Sequence, residues 1–375
     1  MSENGIQRCT YCVMDNNSDG TIRFNASGEC NYCREARVRK GRVYFPNEEG
    51  ETRLAALLEE IKREGEGKPY DCLMGVSGGL DSSYLAYLGA AKWGLRIAAV
   101  HVDDGYDTEI SRSNVRKLCD AAKIELVNIS PDEEQFNDLT LAFMKAGVPN
   151  IAMPQDNILL SELYSRAVEG GITYLLSGGN FALECILQQG NTWSNVDVVN
   201  IIDIHRRFGE KGIDRLRLIS ASGRRAICKR LGVRSPRLLN YVDYNRDRAF
   251  AELKDFCGFE YYGRKHLENY LTAFAQLYWL PKKFNVDKRT SHLSSMIVSG
   301  QIAREEALAE LAEPLYEDAY MQRVKNLLCE KMGISLEYLE ELSSTPGKQH
   351  DEYAIDRKEQ MRAKLGRGLR ALLGR

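Results

Sequence analysis

The sequence predicts an α/β protein: a Rossmann-like parallel sheet with helices on both faces, an N-terminal zinc-ribbon-like unit before it and a C-terminal helical domain after it. Three observations carry this. Short, continuously apolar runs alternate with stretches of helical periodicity, the pattern of strands buried on both faces of a parallel sheet. A Gly-Gly turn stands where the first such run meets the helix behind it. Four of the ten cysteines form two C-x-x-C pairs close to the N-terminus. The 375 residues suit two or three domains at roughly 100 to 200 residues each.

Taken in order, residues 1–45 are rich in Cys, Asn and Gly and show little apolar periodicity, so they form a small unit in need of a staple. Leu54, Leu57, Leu58 and Ile61 mark one face of a helix that starts near Thr52. Residues 71–76 read as a buried strand, 77–81 as a Gly-rich turn and 82–93 as a helix. A strand at 97–102, a helix at 111–122, a strand at 125–129, a helix at 159–169 and a strand at 173–176 follow. The apolar run 238–242 reads as a final strand. Beyond about Gly263 the pattern turns helical, most clearly at 304–311 and 319–332. The expected division is 1–45, 46–262 and 263–375.

The 51 Lys and Arg nearly balance the 53 Asp and Glu, so no chain-wide positive field exists to hold nucleic acid, and none is expected as a partner. No apolar run is long enough for a bilayer and residues 1–9 have no signal-peptide core, which makes the cytoplasm the expected location. Thiols are then reduced, and spacing decides their use. Cys9, Cys12, Cys30 and Cys33 have the spacing of a closed tetrathiolate zinc site, structural because no position stays open for substrate. Cys72, Cys119, Cys185, Cys228, Cys257 and Cys329 are single residues among apolar neighbours.

The turn after the first strand, Gly75-Val76-Ser77-Gly78-Gly79-Leu80-Asp81-Ser82-Ser83, offers backbone amides, hydroxyls and a helix N-terminus to an anion. It lacks the Lys of a Walker loop, which disfavours γ-phosphoryl transfer. Asp81 would repel bare phosphate, so Mg²⁺ is expected beside it. The loop resembles the S-G-G-x-D-S signature of the N-type ATP pyrophosphatases, the PP-loop enzymes with an adenine nucleotide alpha-hydrolase-like fold. That resemblance implies ATP cleaved between its α and β phosphates. It also implies that the strand Val100, His101, Val102 offers backbone groups of Val100 and Val102 to adenine, with Asp103 at its mouth, and that Ser177, Gly178, Gly179 and Asn180 close the pocket. The bland alternatives are a solvated turn for Asp103 and Asp104 and a tight turn for residues 177–180.

Residues 258–268 and 280–295 are dense in cations and His, with Lys265, Lys282, Lys283, Lys288 and Arg289 able to grip phosphates or a carboxylate. With the cysteine pairs, the PP-loop, Lys265-His266-Leu267-Glu268 and Ser299-Gly-Gln-Ile-Ala-Arg-Glu-Glu306, this combination resembles the N-acetyl sugar amidotransferases of bacterial lipopolysaccharide O-antigen and pseudaminic or legionaminic acid synthesis. Thr290 stands where the resemblance implies a further basic residue. The resemblance implies that ATP and ammonia convert the acetamido group of an N-acetylated, nucleotide-linked sugar to an acetamidino group. Lys282 or Lys283 would offset charge, and Asp156, His266 and His292 would orient substrate or move protons, although a structural histidine is the default. No cysteine has the neighbours of a glutaminase nucleophile, and the resemblance implies a separate glutaminase subunit with a cyclase-like partner. A homo-oligomer is compatible with the sequence. The rivals are a PP-loop tRNA-thiolating enzyme, with Cys185 as its thiol, and a zinc-bearing assembly module regulated by nucleotide.

Overall fold

The computed structural model of the chain describes residues 5–263, 267–362 and 365. Four parallel strands form the sheet: β1 (Cys72–Gly75), β2 (Ile97–Val102), β3 (Glu125–Ile129) and β4 (Leu175–Leu176), in the order β3-β2-β1-β4. Gly75 pairs with Val100, and Val102 with Ile129. From β1 the chain passes to β2 on one side and later to β4 on the other. The strand order therefore reverses at β1, which opens a crevice at the carboxyl ends of the strands. Both Gly-rich turns project there.

The helix expected at 82–93 begins at Leu80 and divides into an α-helix, Leu80–Tyr87, and a π-helical turn, Leu88–Lys92. The helix after β2 is Glu109–Ala122, and the one before β4, Met153–Gly170, starts six residues earlier than its apolar spacing suggests, with Pro154 in its first turn. Helices Glu133–Ala146, Val198–Phe208, Ala221–Leu231 and Arg246–Cys257 have no counterpart in the sequence reading. The run 238–242 is not a strand. Leu238–Tyr241 is a 3-10 turn with Leu238 and Leu239 fully buried, and Asn240 accepts from the Phe181 amide at 2.7 Å. A short apolar run is satisfied by burial in either geometry.

Two large apolar clusters lie beside the sheet. One runs from Met14 and the thiols through Met74, Leu85 and Phe181 to Leu293. The other packs Phe136, Phe143 and Ile158 against Phe274, Trp279 and Leu328. The second cluster ties residues 133–158 to the helices after residue 270, so packing crosses the linear order of the chain. Among the described residues no helix is long and apolar enough to cross a membrane.

Candidate functional site

The loop after β1 is shaped by close approaches that only glycine permits. Gly78 has φ +75°, and a Cβ there would lie 2.4 Å from the Ser111 carbonyl oxygen. A Cβ on Gly178 would lie 2.7 Å from the Ser82 nitrogen, so the two Gly-rich turns pack backbone against backbone. Ser77 Oγ accepts from the Gly79 amide at 3.2 Å, and the Leu80 amide donates to Tyr262 Oη at 2.7 Å. The Asp81 carboxylate accepts from the Tyr244 hydroxyl. Glu268, which the sequence reading quoted but gave no role, brings Oε1 to 3.3 Å from Ser77 Oγ, over the loop.

Two cavities meet at this loop. The smaller, about 380 Å³, lies between the ends of β1 and β2 and is lined by Val76, Ser77, His101, Val102, Asp156 and Asn191 among others. The larger, about 810 Å³, runs from Gly79, Asp81, Ser82, Gly178 and Gly179 past Phe250, Tyr261 and Tyr262 to Arg289 and His292. Ser77, Glu268, Gln276 and Lys288 line both. Lys288 occupies the N-cap position of helix Arg289–Ser299, and Asp287 Oδ1 accepts from the first amide of that helix, on Arg289, at 2.9 Å. Burial lowers the Lys288 pKa, and the charge of Asp19 opposes that shift.

Other sequence-predicted residues serve the loop without facing it. The Val100 carbonyl accepts from the Val76 amide at 3.0 Å inside the sheet, so of the two valines only Val102 lines a cavity. Asp103 Oδ1 accepts from the Gly105 amide at 3.1 Å, which is the turn reading. Asn180 is fully buried, caps Phe181–Glu184 through the Leu183 amide at 2.8 Å, and donates to the Gly178 carbonyl at 3.1 Å. Ser177 Oγ accepts from the Gly179 amide at 3.2 Å. These residues shape the second turn.

Lys282 and Lys283 line neither of these two cavities. Helix Leu280–Phe284 turns both toward residues 340–345. Lys282 pairs with Glu340 at 2.8 Å, and Lys283 donates to the carbonyls of Leu342 and Thr345, both at 2.6 Å. Burial and the charge of Lys282 push Lys283 down to about 8. Arg289 lines the larger cavity, yet its guanidinium is held by Asp287 at 2.8 Å and by the carbonyls of Glu310 and Glu313, both at 2.9 Å. It staples rather than recruits. Thr290 is buried and donates to the Asp287 carbonyl at 2.7 Å. Lys265 and His266 lie outside the described residues.

A buried acidic network behind β2 was missed because its partners are scattered in sequence. His101 Nδ1 lies 2.8 Å from the Val76 carbonyl, which can only accept, and Nε2 lies 2.9 Å from Asp107 Oδ2. Nδ1 donates to that carbonyl; burial opposes a charge on the ring, but the neighbouring Asp107 raises the pKa overall. Asn269 Nδ2 donates to Asp104 Oδ1 and Asp107 Oδ1, each at 3.1 Å, which fixes the neighbouring Glu268 over the loop. Burial, then the charge of Asp107, raises the Asp104 carboxyl to about 7. Because this pKa exceeds the unfolded value, the native state holds a proton that the unfolded chain releases, and stability falls as pH rises from about 4 to about 7. Asp104→Asn, with the Gln155 amide flipped to present its oxygen, should remove that slope and raise stability at pH 8 by up to about 4 kcal/mol. Urea unfolding of both proteins from pH 5 to 8 checks this; equal slopes would refute the assignment.

The four paired cysteines are fully buried with their ligand atoms within 4.8 Å of one another. Cys9 and Cys33 sulfurs are 3.7 Å apart, and Cys12 and Cys30 sulfurs 3.6 Å. A tetrahedron of Zn–S bonds of about 2.3 Å has sulfur edges of about 3.8 Å, so the group fits zinc. The Cys30 amide donates to Cys9 Sγ at 3.1 Å, the Cys12 amide to the same sulfur at 3.4 Å and the Cys33 amide to Cys30 Sγ at 3.4 Å. The mutual contacts of the four thiols hold Cys9 and Cys30 below the ordinary thiol range and push Cys12 and Cys33 above it.

Residues 268–366 match the family described as LPS biosynthesis protein WbpG-like, C-terminal domain. The matched stretch begins at Glu268 and includes Gln276, Lys288 and His292. Among curated proteins, none matches the chain. Similar solved structures include the NMN synthetase of Francisella tularensis, 16% identical, covering 76% of this chain and 97% of its own with a TM-score of 0.33. The NH3-dependent NAD synthetase of Campylobacter jejuni is 16% identical, covers 56% of this chain and 93% of its own, and scores 0.29. The NAD+ synthetase of Burkholderia pseudomallei is 14% identical, covers 60% and 99%, and scores 0.29.

Proposed function

We propose that the chain is an ATP-dependent amidotransferase of lipopolysaccharide biosynthesis that replaces the acetamido oxygen of an N-acetylated, nucleotide-linked sugar with ammonia, releasing AMP and pyrophosphate. The observation that carries this reading is the meeting of two cavities at Ser77, Glu268, Gln276 and Lys288. The smaller has the position and size for adenosine at the ends of β1 and β2. The larger has room for a second, bulky substrate, in the 300 to 1,000 Å³ range of ligand pockets. The α-phosphate of a nucleotide spanning the loop would then sit where the second substrate can reach it.

An amide oxygen is a poor leaving group. Its attack on the α-phosphorus, with pyrophosphate departing in line, forms an O-adenylyl imidate on the sugar; ammonia adds to the imidate carbon, and AMP leaves with that oxygen. The Gly78 amide would hold pyrophosphate, joined by the amides of Gly79 and Leu80 once they exchange Ser77 Oγ and Tyr262 Oη for phosphate oxygens. Asp81 and Glu268 offer the oxygen donors that Mg²⁺ takes, and that ion would neutralise phosphate charge. Lys288 would stabilise the α-phosphate as negative charge grows on it. His292, on the wall of the larger cavity, would orient the acetamido group.

The thiolation alternative requires a reactive thiol at the site. No cysteine lines either cavity, and Cys185 is buried, 3.7 Å from the Ser295 carbonyl, with burial pushing its pKa up to about 11. In the direct test, the purified chain with ATP, ammonium and a panel of nucleotide-linked N-acetylated sugars should give AMP and a sugar one mass unit lighter. Glutamine in place of ammonium should give neither. Formation of ADP, no turnover across the panel, or strong glutamine-driven turnover would refute the reading.

A further inference from the structure

The segment Ser299-Gly-Gln-Ile-Ala-Arg-Glu-Glu306 supplies little to the cavity walls, but its polar side chains join three separate parts of the molecule. Arg304 donates from Nη2 to the Cys9 carbonyl at 2.9 Å and from Nε to the Cys12 carbonyl at 3.1 Å, gripping the turn that holds one cysteine pair. Gln301 donates from Nε2 to the Tyr244 carbonyl at 3.1 Å and accepts from the Arg246 amide at 3.2 Å. Tyr244 is the residue whose hydroxyl holds Asp81. Ser299 Oγ donates to the Ala182 carbonyl at 2.8 Å, just behind the second Gly-rich turn.

The helix that ends at Ser299 is gripped from the same side. The Val13 amide, inside the first cysteine turn, donates to Ser294 Oγ at 3.1 Å, and Lys40 Nζ donates to the carbonyls of Val298 and Ser299 at 3.1 and 3.2 Å. Asp19 of the cysteine unit is 1% exposed and accepts from the amides of Gln189 and Gly190, while Gln188 Nε2 reaches Thr290 Oγ1 at 3.4 Å. Both ends of helix Arg289–Ser299 are thus tied to the unit that carries the four thiols.

We infer that the cysteine unit is a strut of the reaction site, and that Arg304 and Gln301 are positioning residues: Arg304 locks helix Arg289–Ser299, and with it Lys288 and His292, to the thiolate turn, while Gln301 holds Tyr244 and so Asp81 in register with that helix. Neither residue needs to touch substrate. A staple of this kind acts on the geometry of the reacting groups, where a displacement of about 1 Å can cost up to a hundredfold in rate. Of the residues that line the smaller cavity it positions Lys288 alone, so binding of the nucleotide should change less than kcat.

The inference rests on the proposed roles of Lys288 and His292, so the test includes one measurement that needs no substrate. Arg304→Gln in the full chain should keep wild-type zinc content. It should also speed amide hydrogen exchange in the peptide covering residues 289–299 at least threefold relative to β1 and β2. In the AMP-forming assay, kcat should fall about tenfold with KM for ATP within a factor of two, and Arg304→Lys should recover part of the loss. Gln301→Leu, which leaves the cysteine turn untouched, should show the same split. Wild-type kcat and wild-type exchange in the 289–299 peptide would overturn the inference, and so would loss of zinc together with a general fall in melting temperature. Altered exchange in a protein that makes no AMP from any sugar would support the strut and refute the reaction.

Discussion

Lys288→Met is expected to lower kcat for AMP formation by roughly 10²- to 10³-fold, the usual cost of removing one preorganised charge from a developing oxyanion. Its side chain is the one cation among the described residues that lines both cavities. The pH dependence offers a sharper readout. Burial lowers the Lys288 pKa, so in the free enzyme the cation is lost at a pH below the ordinary lysine range. The profile of kcat/KM for ATP, at saturating ammonia, should therefore descend on its alkaline side earlier than pH 10.5, the ordinary lysine value. Lys288→Arg should keep more activity than Lys288→Met and move that limb to higher pH, because guanidinium does not titrate in this range. Equal activity in all three proteins would remove Lys288 from the reaction.

The residues of this site were unevenly legible in the sequence. The PP-loop could be read because its chemistry is local: Gly78 needs its positive φ, Gly79 and Gly178 need close approach, and all lie within a few residues of a strand end. The same holds for the cysteine pairs. Lys282, Lys283 and Lys288 looked equivalent as cations in one basic stretch. What separates them is helix phase: the short helix Leu280–Phe284 carries the first two to Glu340 and the carbonyls of Leu342 and Thr345, and the left-handed turn at Asn285, φ +53°, lets the chain reverse so that Lys288 faces the loop. Arg289 follows directly, yet its partner Asp287 and the carbonyls of residues 310–313 consume its donors. Glu268, Asn269, Asp104 and Asp107 act through contacts about 165 residues apart in sequence, and no spacing rule reveals those. For the fold, the four strands of the sheet were read from their short apolar runs, whereas the run 238–242, just as apolar, is a 3-10 turn. The helix Val198–Phe208 was not read, although Val198, Ile201 and Ile204 repeat at helical spacing along it.

The largest effect on the molecule itself is expected from Cys12→Ser. The substitution leaves three thiols within 4.8 Å and no fourth strong ligand, in a place fully shielded from water. Structural zinc in small units contributes roughly 10 to 16 kcal/mol of binding, so even partial loss removes several kcal/mol. At about 2 °C per kcal/mol for a long chain, the melting temperature should fall by about 10 °C or more. Zinc should drop from about one per chain to a trace. Cys228→Ser is the control: that cysteine is part-exposed, and its sulfur faces only the Tyr164 hydroxyl, at 3.6 Å, so metal content should not change. The consequences should spread unevenly. The first apolar cluster includes Cys9, Cys12, Cys30 and Cys33 together with Leu293, Met296 and Val298, whereas Phe143, Trp279 and Leu328 belong to the second. Hydrogen exchange should therefore rise first in residues 289–299 and 9–33, and last around Trp279. A wild-type protein without zinc, or a Cys12→Ser protein that keeps both its metal and its melting temperature, would show that four thiols in tetrahedral array here serve some other end.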